Sequence, residues 1–110
     1  QIPVDASAVS QPEPDIALIP IDTPRGPVSS APLVIEVSDS TLKFDLGTKA
    51  QLYAETKIPE YWVIDLQARV THVHTLPKRG KYTKVRRVQW STELTSQAIP
   101  QLSVKLSEVL

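Results

Sequence analysis

Leu33-Val34-Ile35-Glu36-Val37-Ser38 shows no alternation of apolar and polar residues: apart from Glu36 and Ser38, it is apolar on both faces a strand presents. A strand of that kind is covered on each side and belongs in the interior of a sheet packed between layers. Glu36 is the exception, because a carboxylate inside such a strand is costly unless it is paired, hydrogen-bonded or bound to a metal. Upstream, Asp15 opens another apolar run, Ile16-Ala17-Leu18-Ile19, which reads as a strand over residues 16–21. Downstream, Ser38-Asp39-Ser40-Thr41 supplies helix-start residues, and the pattern predicts a helix over about residues 43–56, ended by Ile58-Pro59. With Leu46 at zero on its wheel, Ala50, Ala54 and Tyr53 fall at about +40°, +80° and −20°, and Leu52 at about −120°. Lys49 falls at about −60°, inside the buried arc, and Asp45 precedes it by one turn, within i,i+4 reach.

The rest of the chain is strand-rich. Tyr61-Trp62-Val63-Ile64-Asp65 is a strong strand by composition, with Asp65 starting the turn Leu66-Gln67-Ala68. A strand over residues 69–76, a turn at Pro77–Gly80 and a strand over residues 82–90 form a hairpin, followed by a short strand near residues 95–98. Residues 103–110 close the chain as a helix or turn. Residues 1–14 carry Pro3, Pro12 and Pro14 and read as extended coil or a short edge strand, while residues 22–32 have loop chemistry. The order strand, strand, helix, antiparallel strands describes an α/β sheet with few helices. A single domain over residues 1–110 is expected, with its core in residues 15–66, C-terminal antiparallel strands in 69–98 and a closing segment in 99–110.

Composition narrows the function classes. With 110 residues, 41% hydrophobic and 22% charged, the chain is ordinary for a globular domain. No apolar stretch approaches the roughly 18 residues of a membrane span, and no secretory leader is visible. Zero cysteines exclude disulfides and thiolate metal sites, and they fit a reducing cytoplasm, the expected location. The absence of methionine suggests a processed chain or part of something longer. Net charge is zero but unevenly spread: residues 1–77 hold five basic and ten acidic residues, whereas residues 78–87 hold Lys78, Arg79, Lys81, Lys84, Arg86 and Arg87 with no acid. Such a stripe can contact a nucleic-acid backbone, or it can be a solvated hairpin whose charges deter edge pairing.

Asp15, Glu36 and Lys49 are a minimum set for metal-dependent phosphodiester hydrolysis. A hard cation takes one or two carboxylates, and a nearby ammonium steadies charge on the attacked phosphate. The competing reading is a buried Glu36–Lys49 ion pair, with Asp15 an exposed acid at a strand start. His72 and His74 alternate onto one strand face, where a third zinc ligand is not evident, and ordinary strand positions explain them. Tyr61 and Trp62 read as core aromatics rather than a base-stacking platform. Three glycines cannot build a phosphate-binding loop or dinucleotide fingerprint.

Pro14-Asp15-Ile16-Ala17-Leu18, Leu33-Val34-Ile35-Glu36-Val37-Ser38, Asp45-Leu46-Gly47-Thr48-Lys49-Ala50-Gln51-Leu52-Tyr53 and Ile58-Pro59-Glu60-Tyr61-Trp62-Val63-Ile64-Asp65 closely resemble the Uma-two-type restriction endonucleases, of the PD-(D/E)XK nuclease superfamily. The resemblance implies a restriction endonuclease-like central mixed β-sheet with flanking helices. It further implies that Asp15 and Glu36 are ligands of Mg²⁺ or Mn²⁺ and that DNA is the substrate. The superfamily's usual lysine two residues after the acid is absent, since Ser38 stands there. The resemblance puts that lysine on the following helix, as Lys49, with Asp45 in support. Members usually carry an N-terminal portion that this chain is expected to lack, which would leave apolar surface favouring a homo-oligomer such as a dimer. The alternative function is a catalytically inactive nuclease-fold module serving nucleic-acid binding or oligomerisation.

Overall fold

The computed structural model describes residues 15–18 and 31–110. The readings made above for residues 1–14 and 19–30 lie outside them. Strands β1 (Ile16–Leu18), β2 (Leu33–Ser38), β3 (Glu60–Asp65), β4 (Val70–Lys78) and β5 (Lys81–Gln89) form one mixed sheet in that spatial order. β2 and β3 are parallel, with Glu36 beside Val63 and Ser38 beside Asp65, and every other pairing is antiparallel. A parallel pair needs a crossover. Here it is two short helices, α1 (Leu42–Leu46) and α2 (Thr48–Glu55). The chain is therefore of the α/β class, with a sheet and helix arrangement compatible with the restriction endonuclease-like fold.

Two apolar layers account for the doubly covered central strands. On one face Val34, Tyr61 and Val63 pack against Ala50 and Tyr53 of α2 and against Ile58. On the other, Leu33, Ile35, Trp62, Ile64 and Val73 pack against Trp90, Leu94 and Leu106. This second cover comes from the C-terminal segment, through the ribbon β6 (Leu94–Thr95) with β7 (Ser103–Val104) and a 3₁₀ turn, Leu106–Glu108. Tyr61 and Trp62 are both core residues, as their composition suggested.

Three details differ from the expected elements. The crossover is not one continuous helix, because Gly47 sits at φ −104°, ψ −88° between α1 and α2. A Cβ there would lie 3.0 Å from the Lys43 carbonyl oxygen, so glycine permits the close junction. The strand expected near residues 95–98 is shorter, because Ser96 and Ala98 turn inward to Glu60. Ser96 Oγ donates to Glu60 Oε1 at 2.6 Å and Ala98 N donates to the same oxygen at 3.0 Å. The closing segment holds a short strand as well as a turn of helix.

Candidate functional site

The antiparallel register that sets Ile16 beside Ile35 places Asp15 across from Glu36 at the end of the β1–β2 pair. Asp15 is tied to β2 at two points. Asp15 N donates to Glu36 Oε1 at 3.3 Å, and Val37 N donates to Asp15 Oδ2 at 2.7 Å. Their environments differ sharply, since Glu36 is only 2% exposed and Asp15 is exposed. Of the two acids only Glu36 is buried, and Asp15 is the exposed acid at a strand start that the competing reading described. Asp15 stands past the point where the sheet covers it, and it is satisfied by a backbone amide.

Helix α2 lies over the same sheet face and delivers two side chains to Glu36 Oε2. Lys49 Nζ donates at 3.1 Å and Tyr53 OH at 3.1 Å. Their i,i+4 spacing stacks them on one side of the helix, which is why both reach one carboxylate oxygen. Lys49 is also 3.6 Å from Asp45 Oδ1, and its ammonium sits 5.7 Å from the centre of the Phe44 ring. Asp45 is itself restrained, because Thr41 Oγ1 donates to its Oδ2 at 2.9 Å and Tyr61 OH donates to its backbone oxygen at 2.9 Å. Burial pushes the Glu36 carboxyl above its ordinary range, while Lys49 and the Asp15 amide pull it back. Tyr53 is pushed up by burial and then by the negative charge of Glu36, so it remains a phenol donor.

Ser38, fully buried beside Asp65, has no hydrogen-bond partner for its hydroxyl among the described residues. Asp65 receives the amides of Gln67 and Ala68 at 3.1 and 3.0 Å, which is the turn role its position suggested. Lys78, Arg79, Lys81, Lys84, Arg86 and Arg87 are all exposed on the β4–β5 hairpin at the sheet edge, and the structure does not bring them to Glu36. Sequence reasoning missed Tyr53 as a partner of Glu36, although its wheel position next to Lys49 signalled it. It also missed Glu60, which is buried on the opposite face. There it accepts from Trp62 Nε1 at 2.8 Å as well as from Ser96 and Ala98. Its place directly before a strongly apolar strand was the available signal.

Glu36 and Asp15 keep spare acceptor capacity, since each ionised carboxylate offers about four lone-pair sites. Two such carboxylates on paired strands fit a hard dication, which completes its shell with water and phosphate oxygens. Among the described residues, no group of three or more His, Cys, Asp or Glu side chains is gathered at metal-ligating spacing. Nor is any helix there long and apolar enough to cross a membrane.

No curated protein matches the chain in sequence. A family model described as "Putative restriction endonuclease" (Uma2) matches residues 1–107, a span containing every run that carried the resemblance. Because the match takes in nearly the whole chain, the protein belongs to the Uma2 family.

Proposed function

We propose that the protein is a metal-dependent endonuclease that hydrolyses phosphodiester bonds in DNA. The observation that carries this reading is the contact of Lys49 Nζ with Glu36 Oε2 at 3.1 Å, with Asp15 across the strand pair. Family membership supports the nuclease class. Asp15 and Glu36 would hold Mg²⁺ or Mn²⁺. Such an ion, when bound, polarises a phosphate and lowers the pKa of a water.

The chain's own residues supply the remainder. Lys49 presents a positive charge beside the carboxylates, where it stabilises negative charge building on the attacked phosphate. Asp45 limits the positions Lys49 can take, and its own anchors, Thr41 and Tyr61, come from before α1 and from β3. Tyr53 fixes one oxygen of Glu36 and leaves the other turned towards Asp15. The exposed cations of the β4–β5 hairpin add backbone contacts that carry no sequence information.

The experiment is incubation of the folded protein with supercoiled and linear DNA in Mg²⁺ or Mn²⁺, with EDTA as control. Cleavage that stops in EDTA is expected. A folded protein inert with both metals would favour the second reading, which the engagement of Glu36 by Lys49 and Tyr53 also fits. That reading is an inactive module whose DNA binding or self-association survives Glu36→Ala.

A further inference from the structure

A concave feature lies on the helix-covered face. Between α2 and the β4–β5 hairpin runs a cleft of about 540 Å³, within the range of small-ligand sites. Neither Glu36 nor Lys49 lines it, and of the groups used above it shares only the hairpin cations Arg79 and Lys81.

Tyr82 is aromatic surface in the cleft, and it is held still. Its hydroxyl donates to Ile58 O at 2.9 Å, and its ring meets His74 edge-on at 5.5 Å and stacks with Tyr61 at 6.1 Å. His74 is 4% exposed, with Nδ1 3.0 Å from Tyr61 O. A carbonyl oxygen only accepts, so Nδ1 carries the proton and Nε2 keeps its lone pair as an acceptor. Arg79 and Lys81 stand exposed beside these rings, and neither forms an ion pair among the described residues. The hairpin turn closes in on α2 at Gly80, where φ is +75° and a Cβ would meet Glu55 Cγ at 3.2 Å.

An aromatic surface, a ring-nitrogen acceptor and two cations outside any ion pair together match one unit of a nucleic-acid strand. A base has a face that stacks and an N–H edge that donates, and the phosphate next to it is an anion. In a duplex that edge is paired and the face is covered, so only an unpaired nucleotide presents all three. We propose that the cleft between α2 and the β4–β5 hairpin binds one unpaired nucleotide of a nucleic-acid strand. Its base lies against Tyr82 with a donor to His74 Nε2, and its phosphate lies on Arg79 and Lys81. The proposal rests on the nuclease reading for its polymer but not for its chemistry.

The test is binding in EDTA, where nothing is cleaved. Anisotropy is recorded for a labelled single-stranded oligonucleotide and for a duplex of equal length. The single strand is expected to bind more tightly, and Tyr82→Leu is expected to weaken it at least about fivefold, the lower end for loss of one stacked base, while leaving the duplex nearly unchanged. Val85→Glu, at an exposed position on the cleft wall, keeps the test sound if Tyr82→Leu does not fold, and it should shift the same ratio. Lys84→Ala, whose side chain projects from the opposite face of β5, should weaken both ligands alike. Equal binding of single strand and duplex, or a ratio unmoved by the cleft variants, would overturn the proposal. A protein that binds this way yet never cleaves would sink the nuclease reading alone, and one that cleaves duplex without the preference would sink this one alone.

Discussion

At Glu36, burial and pairing pull in opposite directions. Desolvation favours the neutral acid, while Lys49 and the Asp15 amide favour the carboxylate. A dication between Glu36 and Asp15 would settle the balance towards the charged form, and its binding would stabilise the folded protein. At about a hundred times its dissociation constant, Mn²⁺ should add about 2.7 kcal/mol. Thermal unfolding with and without the metal should show that gain in wild type and lose it in Glu36→Gln and after chelation. An equal shift in the variant would mean that the metal binds elsewhere. Glu60 is an acid of another kind. Its three donors all come from Trp62 and the C-terminal cover, so Glu60→Ala leaves a buried indole N–H and the Ser96 hydroxyl unpaired. Urea denaturation should register a loss of about 1–3 kcal/mol for each buried donor left unpaired. A loss under about 1 kcal/mol, the net worth of one ordinary hydrogen bond, would show that water replaces these contacts. Glu36 stood out as misplaced in its apolar run and Glu60 did not, and their opposite faces follow only from strand register.

The hairpin β4–β5 and the crossover helices are where element-level reading succeeded and failed. The helix wheel turned Lys49 inward correctly, because an inward arc survives a break at one end of a helix. It could not show the break at Gly47, since one glycine inside a helical pattern is compatible with continuation and only the nearness of Lys43 O decides otherwise. On the hairpin, the basic stripe was plain from the sequence, while the cleft behind it depends on how α2 packs. If Arg86 and Arg87 touch phosphates, replacing both with alanine should reduce the slope of log affinity against log salt by about 2, near one unit per contact. An unchanged slope in DNA titrations would leave them as solvated edge charges. His74, buried on this hairpin among Tyr61, Tyr82 and His72, has its pKa lowered chiefly by desolvation. The folded protein therefore binds a proton there less tightly than the unfolded chain. The stability it contributes is complete above the ordinary histidine value and is lost as pH falls through the lowered one. Between about pH 7.5 and pH 5, the melting temperature of wild type should fall more steeply than that of His74→Phe. Parallel slopes would show that His74 does not titrate across this range.

Over the whole molecule, one parallel strand pair carries the site on one face and a C-terminal cover on the other. The doubly apolar β2 and β3 announced that architecture, and local composition sufficed to find them. The C-terminal cover was not legible, because β6 and β7 pair over only two residues each and are held as much by Glu60 as by their own pattern. The Glu36–Lys49 contact and an exposed Asp15 were both among the readings the residue types allowed, whereas the bond from Tyr53 required the packed molecule. The central claim is that these three side chains form a hydrolytic centre. It is tested most directly by the rate of DNA cleavage in saturating Mn²⁺ for wild type beside Lys49→Ala, with folding checked for both. Cleavage by wild type and a rate lower by about 10²–10³ in the variant are predicted, the usual cost of removing one transition-state charge stabiliser. A folded wild type that does not cleave, or a variant that cleaves at the wild-type rate, would contradict it.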